Sequence, residues 1–238
     1  MDLLGYTELF NQIASYGFVI AATFSCNTGC TDRVPSKYTA CGGMLPLYPL
    51  NMGWDGYYGE LFKMIEWTQE QSLNISSDTI FHQIDQSVGV GIAGHSMGGQ
   101  AAAMAATAAC AKEWNIKASV LHHPASGQLP SGANIGVNIS MPVGGFSSSG
   151  DEIWPELEQI MNASSFTPAL YRYEVGWSHL EPVLWPPCEN PLLATYTAAF
   201  FKIYLGGDPN GYWYDMIYGN GPDSICNSAP QVKCWTKK

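Results

Sequence analysis

The chain is poor in charge, and positive charge is the scarcer kind. Charged residues fill 13% of its 238 positions, and ten Lys and Arg stand against twenty Asp and Glu, a formal net charge of −10. No basic run offers phosphates a track, which argues against a nucleic-acid partner. No stretch of 18 apolar residues exists, so no transmembrane segment is expected. The run nearest to one, residues 98–111, is short and alanine-rich, as suits a buried helix of a soluble fold. The opening MDLLGYTELF lacks the charged start and long apolar segment of a signal peptide. No internal repeat appears, and no linker divides the chain. What is present is a globular composition, 46% hydrophobic, of a length that suits one domain. That domain is expected over residues 1–205. A Gly/Trp/Tyr-rich tail, 206–238, is expected to wrap its surface, with its last lysines in solvent.

Cysteine is plentiful, with seven in all. Cys26, Cys30 and Cys41 share a long Gly- and Pro-containing loop over 25–53, and Cys226 and Cys234 lie in the tail. No nearby histidine completes a zinc set, so disulfides are expected, with their pairing open. Cys110, in the alanine-rich run, is expected to be a buried free thiol. Three Asn-x-Ser sequons, at Asn74, Asn138 and Asn162, agree with a secreted glycoprotein.

Strand-like and helical patterns alternate, the mark of an α/β fold. Helices are expected over 7–16, 56–72, 98–114, 155–162 and 192–205, and strands over 18–24, 88–93, 117–122, 141–147 and 169–175, the last being the final strand. The strand runs are continuously apolar, as in a parallel sheet covered on both faces.

Two motifs overlap in VGVGIAGHSMGGQAAAM, residues 88–104. Gly89 to Gly94 spell the dinucleotide fingerprint G-x-G-x-x-G, and Gly94 to Gly98 spell the nucleophile elbow G-x-S-x-G. The fingerprint needs its glycines in the turn after the strand, yet Gly89 and Gly91 fall within the apolar run, and no acidic residue is well placed to hold a ribose. The elbow fits: a strand enters, a sharp turn exposes Ser96, and a helix leaves. Gly94 and Gly98 are expected to be glycine because a side chain would strike neighbouring backbone.

A serine nucleophile needs a base, and in this fold type the order is Ser, acid, His. Asp151 is the one aspartate between Ser96 and His179, and His179 the one histidine after it. Asp151 could instead cap the next helix, and His179 could be a structural loop residue. His122 and His123 could line the cleft, but Pro124 and the chain order argue against a base role. His95 could simply pack at the elbow. Met97, following the nucleophile, is expected to give one oxyanion N–H. Neither metal nor organic cofactor is implied, since nucleophile, base and oxyanion donors are all protein groups.

With those residues placed, the chain resembles the α/β-hydrolases of the cutinase-like polyester hydrolase, chlorophyllase and dienelactone-hydrolase-like group. GHSMGG resembles their elbow, MPVGGFSSSGDEIWP the strand bearing their acid, GWSHLEP their histidine loop, and Gly5-Tyr6-Thr7 followed by ASYGFVI their oxyanion loop and next strand. The resemblance implies a serine esterase acting on acyl esters, polyesters or lipids, with chlorophyllase-like or phospholipid-acetyl esterase activity, or an inert binding module, as alternatives. It implies that the Tyr6 backbone N–H is the second oxyanion donor, that Tyr6, His95 and Trp177 contact substrate, and that the protein is a monomer. Ala125, after Pro124, stands where polyester hydrolases commonly carry an aromatic residue. The group has about three strands before the Gly-Tyr loop, so the chain is expected to be N-terminally truncated, lacking a strand between those at 18–24 and 88–93.

Overall fold

A computed structural model describes residues 3–23, 57–76, 78–128, 133–153, 155–166, 168–183, 191–228 and 231–238. The cysteines at 26, 30, 41 and 188 lie outside these residues, and so does the side chain of Cys110. Among the described residues five strands form one sheet in sequence order: β1 (Val90–His95), β2 (Ile116–His122), β3 (Val143–Gly150), β4 (Ala169–Ser178) and β5 (Gln231–Lys237). The first four run parallel, and β5 pairs antiparallel with β4.

Helices cover both faces, which is why the strands read as continuous apolar runs. On one face α2 (Tyr57–Leu73), α3 (Met97–Ala105) and α5 (Pro155–Ala163) pack through Phe62, Ala102 and Ile160 against Leu121, Val143 and Tyr171. On the other α1 (Thr7–Ser15), α6 (Pro191–Tyr204) and α7 (Tyr212–Tyr218) pack through Ile13, Phe200 and Ile217 against Val120, Phe146 and Leu170. Val120 and Leu121 serve opposite cores because successive strand residues face opposite ways.

Three expected elements differ. Residues 18–23 form no strand. Phe18 packs on α6, its ring 6.1 Å from Phe201 with Lys202 Nζ 5.2 Å over it, Ile20 joins the same core and Val19 is exposed, while among the described residues no strand pairs with this backbone. The single helix expected over 98–114 is two, α3 and α4 (Ala108–Glu113). Between them Thr107 bridges to Ile139, and Ala106 O accepts from Ser140 N at 3.2 Å, so the backbone there bonds sideways rather than along a helix. The third difference is the tail. It contributes α7 and the strand β5 rather than a surface wrap. Trp235 packs with one core and Cys234 with the other. Lys233 pairs with Glu158, and Lys237 Nζ lies 4.7 Å over the Trp235 ring, so these lysines border an outer strand.

Beneath the tail, Arg172 of β4 is wholly buried. It donates to Glu174 and to Ile225 O and lies 5.3 Å from the Tyr196 ring centroid. A disulfide, Cys226–Cys234, joins the turn after α7 to β5. Among the described residues no helix is long and apolar enough to cross a membrane.

Candidate active site

The carboxyl ends of the four parallel strands each deliver one residue to the same place. Ser96 follows β1, His123 follows β2, Asp151 follows β3 and His179 follows β4. Register makes them meet. His95 lies opposite His122, so Ser96 and His123 leave their strands side by side, and Gly150 opposite Ser178 does the same for Asp151 and His179.

Ser96 has φ 58° and ψ −121°, a conformation that L side chains rarely adopt. It persists because the turn is fixed from both sides: Ser96 N donates to His122 O at 3.0 Å, and Ser96 O accepts from Gln100 N at 3.1 Å and Ala125 N at 2.9 Å. A Cβ on Gly94 would lie 2.0 Å from Gly98 O, so glycine is obligatory there. Gly98 corrects the expectation, since a Cβ there would have open space. The second crowded position is Gly99, whose Cβ would be 3.1 Å from both Gly94 O and Pro124 Cα. The dinucleotide reading finds no support in this geometry, because the sharp turn comes at Ser96, after Gly89 and Gly91.

His179 Nε2 is 2.9 Å from Ser96 Oγ, and His179 Nδ1 is 3.1 Å from Asp151 Oδ1. Asp151 Oδ1 also accepts from Ile153 N at 3.1 Å, a turn that ends before α5 begins at Pro155, so this bond does not cap the helix. Burial alone would raise the Asp151 carboxyl. The hydrogen bonds from His123 and Ile153, with the charges of His123 and His179, outweigh it and hold the group below its ordinary value.

The other histidines sort themselves by partner. His95 Nε2 donates to His179 O at 2.7 Å, which makes its Nδ1 the acceptor for the Tyr6 hydroxyl at 2.7 Å. Burial lowers His95 to about 4 and pushes Tyr6 up to about 12, so both are neutral donors and acceptors near pH 7. His122 is buried against Phe146 and Thr197, and burial takes it down to about 3. His123 does not line a cleft. Its ring is enclosed between Asp151 Oδ2, 2.8 Å from Nδ1, and Glu181 Oε2, 2.9 Å from Nε2. His82 is exposed, and its Nδ1 lies 3.3 Å from Ser72 O.

The residues assigned to oxyanion and substrate contacts lie close by. Met97 is the first residue of α3 and is 36% exposed. Tyr6 ends a 3-10 turn, Leu3–Tyr6, that rests on the turn after His179, where a Gly5 Cβ would lie 3.7 Å from Val183. Trp177 is half-buried near the end of β4, and its carbonyl accepts from Ser148 Oγ.

Among the described residues one group offers ligand atoms at metal-site spacing: His123, Asp151 and His179, within 4.8 Å of one another. Their atoms already meet each other at hydrogen-bond distance, and an ion about 2.1 Å from each would have to open those contacts. The set fits proton bonding better than coordination. Glu181 is the residue that sequence reasoning missed. Its only signal is an acidic side chain in the otherwise apolar LEPV, two positions beyond His179. No family model matches the chain, and no curated protein matches it in sequence.

Proposed function

We propose that this chain is a serine carboxylic-ester hydrolase of the α/β-hydrolase type, acting on acyl esters, polyesters or lipids through an acyl-enzyme. One observation carries the reading: an unbroken hydrogen-bond path from Ser96 Oγ through His179 to Asp151, beginning at a serine held at positive φ. His179 Nε2 takes the serine proton as Oγ attacks the acyl carbon, and Asp151 fixes the ring's tautomer and stabilises the imidazolium. The backbone N–H groups of Met97 and Tyr6 donate to the oxyanion, with Met97 at a helix N-terminus where negative charge is favoured. The imidazolium then protonates the leaving alcohol. Water then gives a proton to the same ring as it attacks the acyl carbon; the bond from Ser96 Oγ breaks, the carboxylic acid leaves, and His179 returns the proton to Oγ.

Substrate choice follows from what surrounds Ser96. Ala125 gives no aromatic surface, which disfavours aromatic polyesters relative to aliphatic acyl esters. Both ring nitrogens of His95 are spent within the protein, so its contact with substrate is through the ring edge and face. The Cys226–Cys234 disulfide and the exposed Asn74, Asn138 and Asn162 of the three sequons support a secreted protein.

The test is covalent. A fluorophosphonate probe labels Ser96, and Ser96→Ala loses both the label and p-nitrophenyl ester turnover, by a factor of about 10⁴ or more. Unchanged turnover in that variant removes the assignment.

A further inference from the structure

We propose that His123 and Glu181 are positioning residues of the triad: His123, bridging Asp151 and Glu181, holds the second carboxylate oxygen of Asp151 and sets a fixed positive charge behind it. The inference rests on the serine-hydrolase reading of Ser96, His179 and Asp151.

The cluster is enclosed by protein: the side chains of His123, Asp151 and Glu181 are 0%, 1% and 2% exposed. An ionised carboxylate accepts and cannot donate, so Asp151 Oδ2 at 2.8 Å and Glu181 Oε2 at 2.9 Å each require an N–H from the ring. With both carboxylates ionised, the two demands are met by the doubly protonated imidazolium. The two hydrogen bonds and the two negative charges favour that form over the neutral one that burial would impose.

The charges explain why such a group belongs there. Asp151 and Glu181 contribute two negative charges and His123 one positive, leaving a single negative charge in a buried cluster. That charge is cancelled when His179 takes the serine proton. Without His123, Asp151 and Glu181 would be two buried negative charges with no cation between them, and Asp151 Oδ2 would lose its ring N–H.

The other groups facing His123 do not supply this charge. The His179 and His95 rings lie 5.9 and 6.1 Å away, and His122 adjoins it in sequence. His95 and His122 are both held neutral by burial.

Backbone geometry agrees. His123 has φ 46°, a left-handed conformation that costs a non-glycine residue, and it is kept there by a bond from its N to Phe146 O at 2.9 Å. The same arrangement steadies the loop bearing the base from two directions. His95 holds the carbonyl of His179, and His123 holds Glu181 two residues on.

The experiment uses the full chain and two readouts. In ¹⁵N NMR of histidine-labelled protein, one ring stays doubly protonated above pH 7. Its signal disappears in His123→Gln and titrates at lower pH in Glu181→Gln. In pH profiles of kcat/KM, His123→Gln moves the acid limb up by about one unit, because removing a neighbouring cation lets His179 keep its proton longer. In the same variant kcat falls about tenfold or more, with KM within about twofold, as expected for a misplaced base. A wild-type protein that fluorophosphonate does not label would overturn the triad reading itself. Labelled, active wild type with no doubly protonated histidine above pH 7, or with an unmoved acid limb in folded His123→Gln, would overturn the positioning role alone.

Discussion

Gly150 lies opposite Ser178 where β3 and β4 end, and this pairing sets Asp151 beside His179. The approach is close enough to require glycine, since a Cβ on Gly150 would lie 2.4 Å from Trp177 O and 3.1 Å from Gly176 O. Gly150→Ala must therefore spread the two strand ends and lengthen the 3.1 Å contact between Asp151 Oδ1 and His179 Nδ1. The expected result is a fall in kcat of about 10²-fold with KM little changed, since misplacement by about 1 Å has that cost. Steady-state kinetics on a p-nitrophenyl ester would show it, and a change confined to KM would contradict the account.

The elbow gives a paired prediction. Gly94→Ala drives a methyl group onto Gly98 O and is expected to cost about 3 kcal/mol of stability, with loss of activity. Gly98→Ala meets nothing within 4 Å and lies in the first turn of α3, where alanine is the better helix former, so it is expected to be neutral or to stabilise by about 0.5 kcal/mol. Thermal melting of the two variants separates them. Equal losses would mean that the crowding at Gly94 is relieved in solution.

Much of this was legible in the sequence, for reasons that differ by residue. Ser96, Asp151 and His179 were found by elimination: the motif fixes the first, and the chain offers one Asp and then one His in the required order. The structure brings all three within hydrogen-bond reach. The β1–α3 turn was legible because a strand, a glycine cluster and an alanine-rich helix follow in succession. His123 and Glu181 were not, because their pairing is a product of register: one follows β2, the other the β4 loop, 58 positions apart. β5 was hidden for another reason. QVKCWTK carries lysines that read as a solvated end, whereas an outer strand uses such residues at its exposed edge. The segment 18–23 misled in the opposite sense, since Phe18 and Ile20 pack on the core without entering a ladder among the described residues.

The tail strand is tied down by Cys226–Cys234, across a separation of eight residues. Closing a loop of that size in the unfolded chain corresponds to about 2.5 kcal/mol. The double variant Cys226→Ala, Cys234→Ala is expected to lose about that much in urea unfolding. Its kcat is expected to be kept below the transition, because β5 flanks β4 on the side away from β3 and none of the strand-end residues follows it. Loss of kcat in the folded variant would show that β5 supports the site as well as the sheet.

Acid should weaken the fold before it touches most carboxylates. His95 and His122 are held neutral, at about 4 and about 3, while an unfolded histidine titrates near 6.5. Between those values the unfolded chain binds protons that the folded chain refuses, so stability falls as pH drops through 6.5 toward 4. His95 alone corresponds to about 3 kcal/mol over that window. Asp151, held below its ordinary value, adds a further loss at lower pH, as it is forced to accept a proton. His123 runs the other way: its value is raised, so its contribution is complete in acid and is lost as pH rises through the raised value. Urea midpoints measured from pH 7 to pH 4 should decline steadily. His122→Leu should begin lower at pH 7, because Thr197 Oγ1 loses its partner, and should decline less steeply, because one buried histidine no longer has to charge. A slope unchanged by that substitution would mean that His122 titrates normally in the folded protein.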